Sequence, residues 1–384
     1  MRWTWLVALA IWFAWVSVAR AAPPTPPTAP RIELYTMGPG DDAFSLFGHA
    51  ALCVFDVKYP MGRCYNYGTT DFSRPVGLTS DFIQGRARFW VSVSPEPVMR
   101  DAYRRLDRSV YRQVLPLSDE RARRFASALE QDLRPDRRSY LYHHFDDNCA
   151  TRLRDHIDTF TGGQLRVGAQ APYGETLRQV VREGFAAYPG LLVLSELVLG
   201  RRVDGPATRW EAMFLPAVLR DQVQVRLGAS PELISPRKAP VASGDPRLGR
   251  FWIAWVGALF GVSCGLLHAS RRRWLSLGGL ILAGLVFGGL GLLLTSIAVV
   301  SPLPDLRENE VLLVLTPLDL MLVFLRGRWL TWFVRLRIVG LGAVLACGLA
   351  GVFVQPLAAP ACALLVWNAS AALTLHMSRT SGRC

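Results

Sequence analysis

The last third of the chain most restricts what it can become. Residues 251–268, 274–300, 311–325, 338–354 and 360–377 are apolar runs, most of them long enough to cross a bilayer as helices. The run at 311–325 is short and contains Pro317 and Asp319, which makes it the weakest of the five. The expected solution is an all-α bundle of about five transmembrane helices, because lipid offers backbone polar groups no partner. Charge orients it. Arg271–Arg273 follow the first run, and Arg326, Arg328, Arg335 and Arg337 lie between the third and fourth. The connection after the second run, SPLPDLRENE, is acidic. Basic loops stay cytoplasmic, so the segment before Phe251 is extracytoplasmic.

The N-terminus gives the same topology independently. MRWTWLVALAIWFAWVSVARAA carries one early arginine, an apolar stretch and the small-residue site Ala19-Arg20-Ala21, and it reads as a signal peptide over 1–22. An uncleaved anchor would deliver the chain to the same side. The expected order is then a Pro-rich linker at 23–30, an exported domain at 31–230, a linker at 231–250, the membrane region at 251–377 and a cytoplasmic tail at 378–384. The formal net charge of +13 is almost all arginine. It does not indicate nucleic acid here, because the basic loops are topology signals and the exported part meets no genome.

Three cysteines fall in the exported domain. Cys53 and Cys64 flank an expected hairpin, AALCVFDV and GRCYNYG, and an oxidising compartment would let them pair. Cys149 is then the odd thiol, in YHHFDDNCATRLRDHID. Around it the domain reads as α+β. RIELYTMG and RFWVSVSP are strand-like, and SDERARRFASALEQDLR is an amphipathic helix with Ser118 as N-cap. Ala150, Leu153, Ile157 and Phe160 follow Cys149 at helical spacing, and Gly162-Gly163 ends the helix. Asp147 is the favoured cap. A thiol at a helix start meets unpaired N–H groups and the positive end of the dipole, which favour thiolate and can receive an oxyanion.

Such a nucleophile needs a base. His156 lies two turns along the helix, too far to reach the thiol. His143 and His144 are close in sequence and are read as bystanders. His49, in SLFGHAAL, begins a strand and is the candidate. Metal binding through His143, His144 and Cys149 is the weaker reading, since no second ligand pair stands at zinc spacing. No cofactor is implied.

SLFGHAAL, YNYGTTDF, YLYHHFDDNCATRLRD and RWEAMFLPAVL occur in this order, and together they resemble the Lnb family, whose periplasmic domain precedes membrane helices. That family resembles circularly permuted papain-like thiol enzymes of the NlpC type, the lecithin:retinol acyltransferases among them. The resemblance implies lipoprotein N-acyltransfer at the bacterial inner membrane, with the catalytic domain in the periplasm. An acyl chain would pass from a membrane lipid to the α-amine of a diacylated lipoprotein, with Cys149 as nucleophile and His49 as base; membrane phospholipid and diacylated lipoproteins are the expected partners. Asn66 is the expected orienting residue. Asn148 and Tyr67 are the expected substrate-binding or oxyanion residues. A hydrolase of peptidoglycan peptides and a non-catalytic envelope scaffold are the alternatives.

Overall fold

The computed structural model describes residues 29–380, with side chains to 377. The expected signal peptide and most of the Pro-rich linker lie outside the described residues. The exported part is built on an antiparallel sheet. Its strands are β1 (Arg31–Met37), β2 (His49–Phe55), β3 (Arg63–Thr69), β4 (Arg88–Pro95), β5 (Val110–Val114) and β6 (Ser139–Leu141). A short hairpin of β7 (Pro172–Thr176) and β8 (Pro206–Thr208) stands apart, and β9 (Glu232–Ser235) returns to the main sheet. The spatial order is β6-β4-β3-β2-β1-β5-β9. Strand β9 comes from the stretch expected to be a linker. Pairing with β5 holds it, and Asp107 accepts the backbone N–H groups of Lys238 and Ala239 just beyond.

Alternation along β2 sets the two faces. Ala50, Leu52 and Val54 join the larger core, and Ala51 and Cys53 join a smaller one on the other face. Cys53 lies opposite Cys64 in the β2–β3 ladder, and the two form a disulfide. Helices α1 (Pro75–Ile83), α2 (Glu96–Arg105), α3 (Asp119–Gln131) and α4 (Cys149–Thr161) follow the strands, then α5 (Leu177–Gly184), α6 (Pro189–Val198) and α7 (Pro216–Leu227). Helix α4 buries Ala150, Leu153 and Ile157 against Leu52 and Tyr65 of the sheet and Phe125 and Leu129 of α3. Helix α1 buries none of its residues.

Among the described residues, four helices are long and apolar enough to cross a membrane: α8 (Leu248–Ala269), α9 (Arg273–Val300, with a π turn at Gly284–Gly288), α10 (Gly327–Leu349) and α11 (Ala358–Thr380). The fifth expected helix is not among them. Residues 311–325 form 3₁₀ turns at Glu310–Leu313 and Pro317–Val323. Proline removes a helical donor, and this segment packs backbone-close along α9 instead. A Cβ on Gly288 would lie 2.3 Å from Leu320 N, and one on Gly291 2.4 Å from the Thr316 carbonyl carbon. Irregular backbone at membrane depth is tolerated where protein buries it.

Connections of the membrane part contact the N-terminal domain directly. Gly200 N–H donates to Asp305 O at 2.6 Å, Asn309 Nδ2 to Leu197 O at 2.7 Å, and Gln355 Nε2 to Leu199 O at 2.8 Å. The loops after α9 and before α11 therefore both lie against the exported domain, opposite the arginine-rich loops.

Candidate active site

Cys149 is the first residue of α4. The preceding loop is clamped by two backbone bonds between His143 and Asp147, each 3.0 Å. Three consecutive residues, Asp146, Asp147 and Asn148, are all suited to capping, and the structure uses the last. Asn148 Oδ1 accepts from Thr151 N–H at 2.9 Å, while Thr151 Oγ1 accepts from Asn148 N–H at 2.8 Å, forming a capping box. Asp147, the expected cap, instead makes a bidentate pair with Arg152 at 2.6 and 2.9 Å. The Asn148 carboxamide also donates to His144 O and Phe214 O. Its polar atoms are all engaged in holding the loop, so the expected role at an oxyanion does not fit it.

His49 is the first residue of β2, and the backbone N–H groups of its neighbour Ala50 and of Ala150 and Cys149 favour the Cys149 thiolate. Gly68 lies between the two side chains. A Cβ there would stand 3.6 Å from Cys149 Cβ and 4.0 Å from both His49 Cε1 and Tyr140 Oη. Gly68 has φ +90°, at an irregularity in the β3–β4 register, where an L side chain is strained. A methyl would fit there in ordinary contact, so the backbone conformation, not space, calls for glycine.

That cavity has a volume of about 270 Å³ and an aromatic lining, including Phe47, Phe82, Phe89, Tyr142, Phe185 and Phe214. Burial governs the protonation states. It pushes the Cys149 thiol up, against the opposing pull of the three N–H groups and the Arg108 charge. It drives His49 down from 6.5 to about 4, helped by Arg108 and opposed by Asn66. The resting pair is therefore a neutral thiol and a neutral imidazole. The expectation of a thiolate from the helix start alone fails because desolvation outweighs a few hydrogen bonds. His49 Nε2 is buried and has no hydrogen-bond partner among the described residues, and His49 and Cys149 line the same cavity.

Asn66 lies one ladder step from His49, opposite Ala51, and its Nδ2 is 3.5 Å from both Cys64 O and Ser94 Oγ. Tyr67 does not come to the site. Neighbouring strand residues point to opposite faces, and its hydroxyl donates to Asp132 Oδ2 at 2.6 Å with His156 Nε2 3.1 Å away. His156 contacts Asp132 at 2.8 Å, so this trio braces the far side of α4.

Several residues escape the sequence reading. The Tyr140 hydroxyl is buried and without a partner among the described residues, close to Gly68 and Cys149, while Arg152 covers its ring at 3.7 Å. Arg108, 5% exposed, donates Nε to Gly38 O at 2.8 Å and lies over the Tyr103 ring, on which His49 stacks. His144, read as a bystander, lines the cavity among Phe47, Phe145 and Phe214, and burial with the nearby His143 lowers it to about 4. His143 Nε2 is 3.1 Å from Asp305 in the loop after α9. Among the described residues no group of three or more His, Cys, Asp or Glu is placed to hold a metal ion.

Fold and site together define a membrane protein whose exported α+β domain carries a buried thiol–imidazole pair. Residues 24–183 match the model of the Lnb N-terminal periplasmic domain, which supports membership in the Lnb family. No curated protein and no solved structure matches it.

Proposed function

We propose that the protein is a lipoprotein N-acyltransferase working through a Cys149 thioester. The observation that carries this reading is a helix-start thiol beside His49, in an aromatic cavity of a domain that packs on membrane helices. We read the placement of His49 on a strand and Cys149 at a helix start as a papain-like arrangement in which the histidine precedes the cysteine in the chain.

His49 Nε2 takes the thiol proton as sulfur attacks an acyl ester of a phospholipid. The S–C bond forms, the ester C–O bond breaks, and the proton passes from His49 to the leaving alcohol oxygen. The α-amine of a diacylated lipoprotein then attacks the thioester. The N–C bond forms, the C–S bond breaks, and the amine proton passes through His49 to the leaving sulfur, restoring the thiol. The backbone N–H groups of Cys149 and Ala150 and the Tyr140 hydroxyl are the donors closest to the charge that develops on the carbonyl oxygen. Removing water from the cavity strengthens each of these interactions.

The aromatic lining favours this reading over cleavage of peptidoglycan peptides, whose polar backbone would lose its hydrogen bonds there. The test is Cys149→Ser in cells, reading lipoprotein N-terminal peptides by mass spectrometry. Loss of the N-acylated form is expected, and unchanged N-acylation would sink the proposal.

A further inference from the structure

A second cavity, of about 330 Å³, adjoins the first. Its walls come from Phe82 and Ile83 of α1, Val181 of α5, Leu194 and Val198 of α6, and Ile297 of the membrane helix α9. Thr79, Phe82, His144 and Phe185 line both cavities, so a single layer of side chains separates the Cys149 cavity from this one.

We infer that this second cavity holds the hydrocarbon tail of the acyl group whose carbonyl carbon sits at Cys149, an inference that rests on the acyltransfer reading above. Three observations support a hydrocarbon occupant. The wall is nearly all carbon, with few polar groups. Ser195 Oγ donates to Leu192 O at 2.9 Å, His143 faces Asp305, and His144 is held neutral by burial. A peptide there would leave its N–H and C=O groups unpaired, whereas a methylene chain asks for no partner. Ile297 also places one wall inside a membrane span, so a lipid tail could pass from bilayer to cavity without crossing water.

The wall is preformed. Arg178, 1% exposed, pairs with Asp204 and donates to the carbonyls of Ser195, Leu199 and Gly200, fixing the end of α6. Helix α1, with no buried residue, is the thinner outer wall.

The experiment uses full-length Cys149→Ala protein in vesicles of phosphatidylethanolamine bearing a diazirine at the end of one acyl chain. Photolysis and peptide mapping should place crosslinks on Leu194, Ile83 and Phe185. Leu194 is 55% exposed, so Leu194→Trp should fold, and by displacing about two methylenes it should cut those crosslinks roughly tenfold. Ile83→Trp should do the same from the opposite wall. Crosslinks confined to bilayer-facing residues such as Trp255 and Leu259, or cavity crosslinks indifferent to both tryptophans, would overturn the inference. The inactive protein reads binding alone. Failure of the acyltransfer reading would appear separately, as wild-type protein that forms no acyl adduct.

Discussion

The backbone N–H of Ala50, one residue past His49 on β2, favours the thiolate of Cys149, the first residue of α4. A strand start and a helix start thus meet in one cavity, though about a hundred residues separate them in the chain. The consequences of that meeting can be measured.

Gly68 is the spacer. Alanine there would be strained at φ +90°, at a cost of about 1–2 kcal/mol, and its methyl would touch Cys149 Cβ and the His49 ring. Gly68→Ala should abolish most N-acylation while lowering Tm by only several degrees. Calorimetry and N-terminal peptide mass spectrometry on one sample separate the two effects. Full activity would show that the gap at Gly68 is not needed.

The acid limb of activity should report His49. Burial and Arg108 hold its charged form back to about 4, so the imidazole stays a competent base well below its ordinary range, and activity falls only as pH approaches that value. Arg108→Gln removes one of the two causes, so the limb should move to higher pH. The profile of acyl-enzyme formation rate against pH checks the sign. A limb that stays put would deny Arg108 its electrostatic effect on His49.

The same burial predicts acid sensitivity of the fold. His49 and His144 are both lowered from 6.5 to about 4, so the unfolded chain binds their protons first. Their contribution to stability is intact above about 6.5 and is lost as pH falls towards about 4. Denaturant midpoints across this window should fall, and His144→Phe should flatten part of the slope.

Tyr140 and Tyr67 should behave oppositely. Tyr140→Phe deletes a buried hydroxyl that has no partner among the described residues, near Cys149, so stability should hold while the acylation rate drops about tenfold to a hundredfold. Tyr67→Phe removes bonds to Asp132 and His156, so it should cost about 1 kcal/mol of stability and leave the chemistry near normal. Thermal shift and single-turnover acylation on both variants distinguish them.

Much of the fold and the site is legible in the residue pattern. Period-two alternation marks β4, strand-like apolar runs mark β1 and β2, and helical spacing with Ser118 and Gly162 marks α3 and α4. Position in those elements makes Cys149 and His49 candidates. The misses have physical causes. Capping at Asn148 rather than Asp147 is a one-residue choice among three suitable side chains, decided by the Thr151 partner. The thiol's ionisation depends on burial by residues far away in the chain, so helix position alone has the wrong sign. Strand alternation itself argues that Asn66 and Tyr67 face opposite ways. Hydropathy over 311–325 reports apolar content but not helicity, and Pro317 is the signal that a regular helix fails there. Arg108 carries no local signature, since its importance comes from folding back over Tyr103.

The central claim is that Cys149 carries the acyl group. Purified full-length protein, mixed with phosphatidylethanolamine and no lipoprotein, should gain the mass of one acyl chain. Hydroxylamine should remove that mass, and the adduct should map to the Cys149 peptide. Cys149→Ser should retain an ester that resists hydroxylamine better, or show none. Wild-type protein that stays unmodified under these conditions, or an adduct that persists at another residue in Cys149→Ala, would contradict the account.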